Sequence, residues 1–99
     1  MNLIIASEAD TASINLRDRL LEMSEWREEG TFDGREMYFL TKDYGEFCKK
    51  GTHLITIEKL HIHAEEIDKE WTKQKGLEID NIIFLSRHKA ASGRPSLTV

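Results

Sequence analysis

The stretch LIIASEAD at residues 3–10 decides the fold class. Residues 3–6 form a short, continuous apolar run, as expected for a strand that is buried on both faces of a sheet. Ser7 and Asp10 then supply short oxygen-bearing side chains, which can cap the free N–H groups at the start of a helix. A buried strand that leads directly into a helix is typical of an α/β domain.

The first predicted helix extends from about Asp10 to about Trp26. Four of its apolar side chains are spaced to form one stripe: Ala12, Leu16, Leu20 and Met23. Ile14 and Leu21 fall on nearly the opposite side at about 100° per residue. The pattern therefore predicts a helix with two apolar sides, which needs two packing partners.

The remaining elements alternate in the α/β manner. Turns are predicted at residues 30–34 and 43–45, and strands at residues 37–40, 53–57 and 82–85. The second predicted helix carries Ala64, Ile67 and Trp71 on one stripe, and Gly76 stands where a C′ glycine belongs. We expect a mixed sheet flanked by helices, with its apolar, mostly parallel strands in the centre.

Leu60 and Ile62 have the opposite parity to Ile55 and Ile57, so a turn or bulge is expected at residues 58–59.

The carboxyl end of the chain begins a further strand at residues 96–99. Because the pattern stops on apolar residues, we expect residues 1–99 to be the amino-terminal part of a single α/β domain that is truncated, with its sheet incomplete at the carboxyl end.

Composition excludes several classes of protein. The hydrophobic fraction of 39% and the charged fraction of 32% are typical of a globular domain. No apolar run approaches the roughly 20 residues of a membrane span, and the amino terminus does not resemble a signal peptide. Cys48 is the only cysteine, so no internal disulfide can form. These features favour a soluble protein of the reducing cytoplasm with no membrane association.

The charge distribution points to a local anion site. Residues 1–80 carry 11 Lys/Arg and 18 Asp/Glu, whereas residues 81–99 carry three basic residues and no acidic one. Those three are Arg87, Lys89 and Arg94, and they follow the predicted strand at residues 82–85. Ligands in open α/β sheets bind outside the carboxyl ends of the strands. A basic loop in this position favours a site for a phosphate or carboxylate.

The same loop holds groups that could perform chemistry. Ser86 offers a hydroxyl, and His88 offers either a base or a metal ligand. The alternative interpretation is a solvated basic loop. His61-x-His63 could form half of a zinc site, but alternation with Leu60 and Ile62 favours the polar face of a strand.

Three stretches resemble one known family. They are SEADTASINL at residues 7–16, AEEID at residues 64–68, and IFLSRH with PSLT between residues 83 and 98. Together these stretches are similar to the archaeal- and plant-type D-aminoacyl-tRNA deacylases. The likeness extends along the chain and is most specific at Ser86-Arg87-His88 and at residues 95–98. Family members are longer, and their later His-containing motifs are not present in these 99 residues.

The resemblance implies a cytoplasmic, zinc-dependent hydrolase that cleaves the ester joining a D-amino acid to the 3′ end of tRNA. Ser86 and His88 would then be catalytic, and His88 is also the candidate zinc ligand. Arg87, Lys89 and Arg94 would bind the substrate, D-aminoacyl-tRNA, and no stable protein partner is implied. The 99 residues of this chain, without the later motifs of the family, are expected to be inactive as an enzyme. The alternative is a non-catalytic module that binds a tRNA end or another anion.

Overall fold

A computed structural model describes residues 1–32, 34–45, 48–58 and 67–85, together with the backbone of residues 96 and 97. The strands are β1 (Asn2–Ser7), β2 (Trp26–Phe32), β3 (Arg35–Leu40), β4 (His53–Ile57), β5 (Asn81–Leu85) and β6 (Ser96–Leu97). The helices are α1 (Thr11–Met23) and α2 (Lys69–Gln74).

The strands form one six-stranded sheet in the order β2-β3-β4-β1-β5-β6. β1 is paired in parallel with β4 on one side and with β5 on the other, and β6 continues in parallel beyond β5. β2 and β3 form an antiparallel hairpin, and β3 joins β4 in the antiparallel direction. The predicted α/β class and the mixed sheet with central parallel strands are confirmed.

Each face of the sheet carries its own apolar core because successive strand residues point to opposite faces. Leu3 and Ile5 of β1 face the layer that includes Trp71 of α2. Ile4 and Ala6 face the layer that includes Leu20 of α1. β1 is therefore buried on both faces, as its continuous apolar sequence predicts.

Helix α1 begins where the sequence predicts but ends earlier. Asp10 caps it, since its carboxylate accepts a hydrogen bond of 3.1 Å from the Ala12 N–H. The helix ends at Met23, and Trp26 opens β2 rather than closing α1. The predicted helix end at Trp26 is wrong because the Trp26 indole packs back on α1, donating a hydrogen bond of 3.0 Å to the Leu20 carbonyl.

The prediction that α1 has two opposed apolar sides is also wrong. Ile14, Leu16, Leu20 and Leu21 all pack against the same core cluster, which lies around Ile4. The stripe is about 160° wide at 100° per residue, and it is centred near the buried Ser13. Met23, assigned to the apolar stripe, is instead 61% exposed. A broad sheet surface contacts a wider arc of a helix than a neighbouring helix does.

The hairpin corrects a second set of predictions. Residues 30–34 were expected to be a turn, but residues 30–32 belong to β2 and the reversal lies between Phe32 and Arg35. The sequence gives little signal for β2 because its central residues are exposed and polar. Strands that are solvated on both faces lack the alternation by which strands are recognised.

Other predicted elements are observed close to their expected bounds. The strand predicted at residues 53–57 is β4, and the one predicted at 82–85 is β5. Gly76 follows α2 with a φ of 90°, as a C′ glycine does. The described part of α2 begins at Lys69, after the N-cap Asp68. Residues 59–66, with the predicted bulge and His61-x-His63, lie outside the described residues. Within the described ranges, no helix is long and apolar enough to cross a membrane.

Candidate functional site

A pocket of about 500 Å³ opens at the carboxyl ends of β1 and β4. Strand β3, which is antiparallel to β4, starts at this same edge, and Arg17 of α1 also lines the pocket. The charged and polar side chains that define the pocket are Glu8, Arg17, Arg35, Glu36, Tyr38 and Glu58. We call this the carboxyl-edge pocket. Its position is the usual one for ligand sites in open α/β sheets.

Arg35 bridges the ends of two parallel strands. Its guanidinium contacts the Glu8 carboxylate, which follows β1, and lies 3.7 Å from the Glu58 carboxylate, which follows β4. The side chain of Glu8 is 43% exposed and that of Glu58 is 73% exposed. Water therefore screens the two pairs, and their effect is to position the side chains more than to stabilise the fold.

Arg17 fixes α1 over the pocket. One guanidinium nitrogen donates a hydrogen bond of 2.9 Å to the Thr56 hydroxyl of β4. Two other nitrogens of the same group donate to the Asp18 carboxylate at 3.0 and 2.7 Å. Both guanidinium groups of the pocket are thus already paired with carboxylates.

Tyr38 lies on the β3 side of the pocket. Its hydroxyl donates a hydrogen bond of 2.9 Å to the Glu36 carboxylate. This bond raises the pKa of the Tyr38 phenol above its usual value, and burial raises it further. The phenol therefore stays protonated at neutral pH and serves as a hydrogen-bond donor.

None of the site residues predicted from sequence can be placed in this pocket. Ser86, Arg87, His88, Lys89 and Arg94 lie outside the described residues. β5 nevertheless ends at Leu85, one residue before Ser86, and it runs parallel to β1. The strand therefore brings the chain to the same edge of the sheet as the pocket.

The sequence patterns did not predict the residues that line the carboxyl-edge pocket as site residues. One signal was present for Glu8, which directly follows a buried strand, the position from which sites are built in this fold class. Arg17 and Arg35 had no such signal, because their approach to the pocket depends on the packing of α1 and on the hairpin.

A metal centre finds no support in the described part of the chain. Those residues contain no group of three or more His, Cys, Asp or Glu side chains that could hold a metal ion. His53 is buried but belongs to no such group, and its Nδ1 atom has no hydrogen-bond partner among the described residues. These residues do not fit a zinc site, and His88 is not among them.

Comparison with known proteins gives a consistent answer. A D-aminoacyl-tRNA deacylase of Arabidopsis thaliana is 36% identical over 99 residues, which are all of this chain and 29% of that protein. The D-aminoacyl-tRNA deacylase of Pyrococcus furiosus is 33% identical, over 99% of this chain and 33% of its own length. The chain is a homologue of the D-aminoacyl-tRNA deacylases. The resemblance read from its sequence is confirmed, and the chain spans about a third of the length of these curated relatives.

One solved structure is also similar to this chain. A crystal structure described as a conserved protein of unknown function, AF0625, matches with a TM-score of 0.60 and 26% identity, over 95% of this chain and 29% of that one. No family model matches the chain.

The junction between β1 and α1 lies in one of the stretches that resemble the deacylases, and its side chains have a structural role. Ser13 is buried, and its hydroxyl accepts a hydrogen bond of 3.0 Å from the Ser7 N–H. Asp10 caps α1, and Asn15 points to solvent. Ser13 and Asp10 therefore hold the end of β1 against the start of α1, which sets the position of Glu8 at the pocket.

Proposed function

We propose that this chain forms part of an enzyme that hydrolyses the ester bond of D-aminoacyl-tRNA, releasing a free D-amino acid and tRNA. The observation that carries the proposal is the similarity of the whole chain to curated D-aminoacyl-tRNA deacylases from a plant and from archaea. The cytoplasm, where aminoacyl-tRNA is used in translation, is the compartment that this substrate implies.

The reaction defines what the protein must supply. A water oxygen bonds to the ester carbonyl carbon, the bond from that carbon to the ribose oxygen breaks, and the ribose oxygen takes up a proton. Catalysis needs a base for the water and donors for the developing oxyanion. We assign the first role to His88 and the second to Ser86, with Arg87, Lys89 and Arg94 binding the tRNA end.

The place of β5 in the sheet supports this assignment. Ser86 follows a strand that is parallel to β1, at the edge where the carboxyl-edge pocket opens. Zinc is proposed as the cofactor from the resemblance alone, where it would supply an activated water, and His88 would then be its ligand as the alternative to acting as the base. The described residues offer no ligand set, so no step above is assigned to the metal.

The alternative is a module that binds a tRNA end or another anion without catalysis. Three basic residues and no acidic residue in 86–95 favour it. Turnover separates the two functions, because a binding module retains its affinity for tRNA but releases no amino acid.

The test is hydrolysis of D-aminoacyl-tRNA by the protein as its gene encodes it. We expect His88→Ala to reduce turnover by about 100-fold or more, the scale of losing a general base. His61→Ala is the matched control, since His61 lies in the other histidine motif and should leave turnover unchanged. Zinc content is measured for all three proteins.

Two results would contradict the proposal. If the wild-type protein releases no amino acid from any D-aminoacyl-tRNA, the hydrolase function is wrong. If His88→Ala retains normal turnover and zinc content, His88 has no role in the reaction.

A further inference from the structure

The buried hydroxyl of Ser13 is bonded to a strand. Ser13 lies in the first turn of α1 and is 1% exposed, and its Oγ accepts a hydrogen bond of 3.0 Å from the Ser7 N–H at the end of β1. A backbone N–H in a sheet ordinarily donates to a carbonyl of the neighbouring strand. A helix side chain therefore takes the place of a strand partner at this point.

The direction of the Ser7 N–H identifies the partner that is replaced. Successive N–H groups of a central strand point to its two neighbouring strands in turn. The Glu8 N–H donates to the Ile57 carbonyl of β4 at 2.9 Å, so the Ser7 N–H points toward β5. β1 is paired with β5 as far as Phe84. In the same register, the next acceptor for the Ser7 N–H is the Leu85 carbonyl.

Helix α1 also packs against the end of β5. Ile14, the neighbour of Ser13, contacts the same apolar cluster that contains Ile83 and Leu85. Leu85 is 3% exposed and is the last residue of the strand. The same helix therefore supplies two things: the hydroxyl that takes the Ser7 N–H, and the apolar surface that covers the end of β5.

We propose that Ser13 is a positioning residue for hydrolysis, because its hydroxyl takes the Ser7 N–H and thereby ends the pairing of β1 with β5 before Ser86. This inference rests on the proposed function, which assigns Ser86 and His88 to the reaction. Without the hydroxyl, the Ser7 N–H would be buried with no acceptor, which is unfavourable. The Leu85 carbonyl is the acceptor that the register provides, so the pairing would extend by one step and displace the residues assigned to catalysis.

Crystal structures of the protein as its gene encodes it and of its Ser13→Ala variant test the change in pairing. Alanine favours a helix, so α1 is retained in the variant. We expect the Ser7 nitrogen to lie within about 3.2 Å of the Leu85 carbonyl oxygen in the variant, as in an N–H···O hydrogen bond, and beyond that distance in the wild type. The inference is wrong if the two atoms are as far apart in the variant as in the wild type.

Steady-state kinetics with D-aminoacyl-tRNA test the positioning role. Ser13→Ala should lower kcat about tenfold or more and change KM by less than about twofold, because a displacement of about 1 Å at a reacting group can cost about 100-fold. Thr52→Val is the matched control. Thr52 is 1% exposed, and its hydroxyl donates to the Lys49 carbonyl at 2.6 Å, next to the start of β4. The control thus removes a buried hydroxyl at the opposite edge of the sheet and should keep normal kcat.

The two experiments together distinguish failure of this inference from failure of the proposed function. If the wild type hydrolyses D-aminoacyl-tRNA and Ser13→Ala keeps normal kcat, the function stands and the inference falls. The inference also falls if Thr52→Val lowers kcat as much as Ser13→Ala does, because the loss then follows from a missing buried hydroxyl anywhere in the fold. If the wild type hydrolyses no D-aminoacyl-tRNA, the function falls together with the positioning role, and the crystal structures alone decide whether Ser13 ends the pairing.

Discussion

His53 buries an imidazole at the start of β4, where its ring meets Phe39 edge-on with the centroids 5.3 Å apart. The side chain is 8% exposed, and its Nδ1 atom lacks a hydrogen-bond partner within the described ranges. Burial lowers the pKa of His53 below its ordinary value of 6.5, and the amino terminus adds to this effect while Glu29 opposes it. The folded protein thus favours the neutral ring.

The lowered pKa predicts that stability declines in acid. Below about pH 6.5 the unfolded chain binds a proton at His53 that the folded chain still rejects, so the unfolded state is stabilised relative to the folded state. The contribution is fully present above pH 6.5 and is lost as the pH falls toward the folded-state pKa. We expect the free energy of unfolding in urea to fall between pH 7.5 and pH 5.

The variant His53→Phe isolates this effect, because the other histidines are the same in both proteins. Its stability should depend less on pH than that of the wild type over the same interval. Equal pH dependence of the two proteins would show that His53 is not the titrating group.

Cys48 is the second buried titratable side chain with a clear shift. It is 3% exposed, and burial raises the pKa of its thiol. The thiolate is the reactive form of cysteine, so this thiol is poorly suited to nucleophilic chemistry at neutral pH. The Cys48 side chain instead packs in the core cluster around Ile4.

At the scale of elements, the end of α2 depends on one glycine. Gly76 has a φ of 90°, its N–H donates to the Lys73 carbonyl at 3.0 Å, and the Leu77 N–H donates to the Thr72 carbonyl at 2.9 Å. This turn directs Leu77 onto the core that surrounds Leu3. No atom lies within 4 Å of a Cβ built at Gly76, so any cost of a side chain here comes from the backbone.

We therefore expect Gly76→Ala to lower the free energy of unfolding by about 1–2 kcal/mol, the usual cost of a left-handed residue with a Cβ. Gln74→Ala, an exposed position within α2, is the control and should change stability by less than about 0.5 kcal/mol. Denaturation of the three proteins in urea measures both values. A Gly76→Ala protein as stable as the control would exclude backbone strain as the reason for this glycine.

At the scale of the whole molecule, the sheet has a protected centre and an open edge. β1 is paired on both sides and buried on both faces. β2 is paired on one side only, and five of its seven residues are exposed. Its Glu28 and Glu29 place charges on this edge, which discourages pairing with another chain.

Hydrogen exchange should follow this gradient. We expect the amides of β1 to exchange at least about 100-fold more slowly than the bonded amides of β2, after correction for intrinsic rates, because edge strands open locally without global unfolding. Residue-resolved exchange measured by NMR tests this. Comparable protection in both strands would mean that another surface covers β2.

The central elements of this fold are local in origin. Residues 3–6 and 82–85 are apolar at every position, and such short runs favour strands that are buried on both faces. Asp10 and Gly76 mark helix ends through their own backbone chemistry. For these reasons the sequence by itself determined the α/β class, the parallel centre of the sheet and the likeness to deacylases.

The tertiary structure alone decided the features that depend on distant partners. Ile14 and Leu21 join Leu16 on one face because a broad sheet lies under α1. β2 exists because β3 pairs with it, although its own residues are polar and solvated. The carboxyl-edge pocket likewise requires Glu8, Arg35 and Glu58, which follow or begin three different strands. Charged side chains carry no periodic signal of their meeting, since only the register of the sheet brings them together.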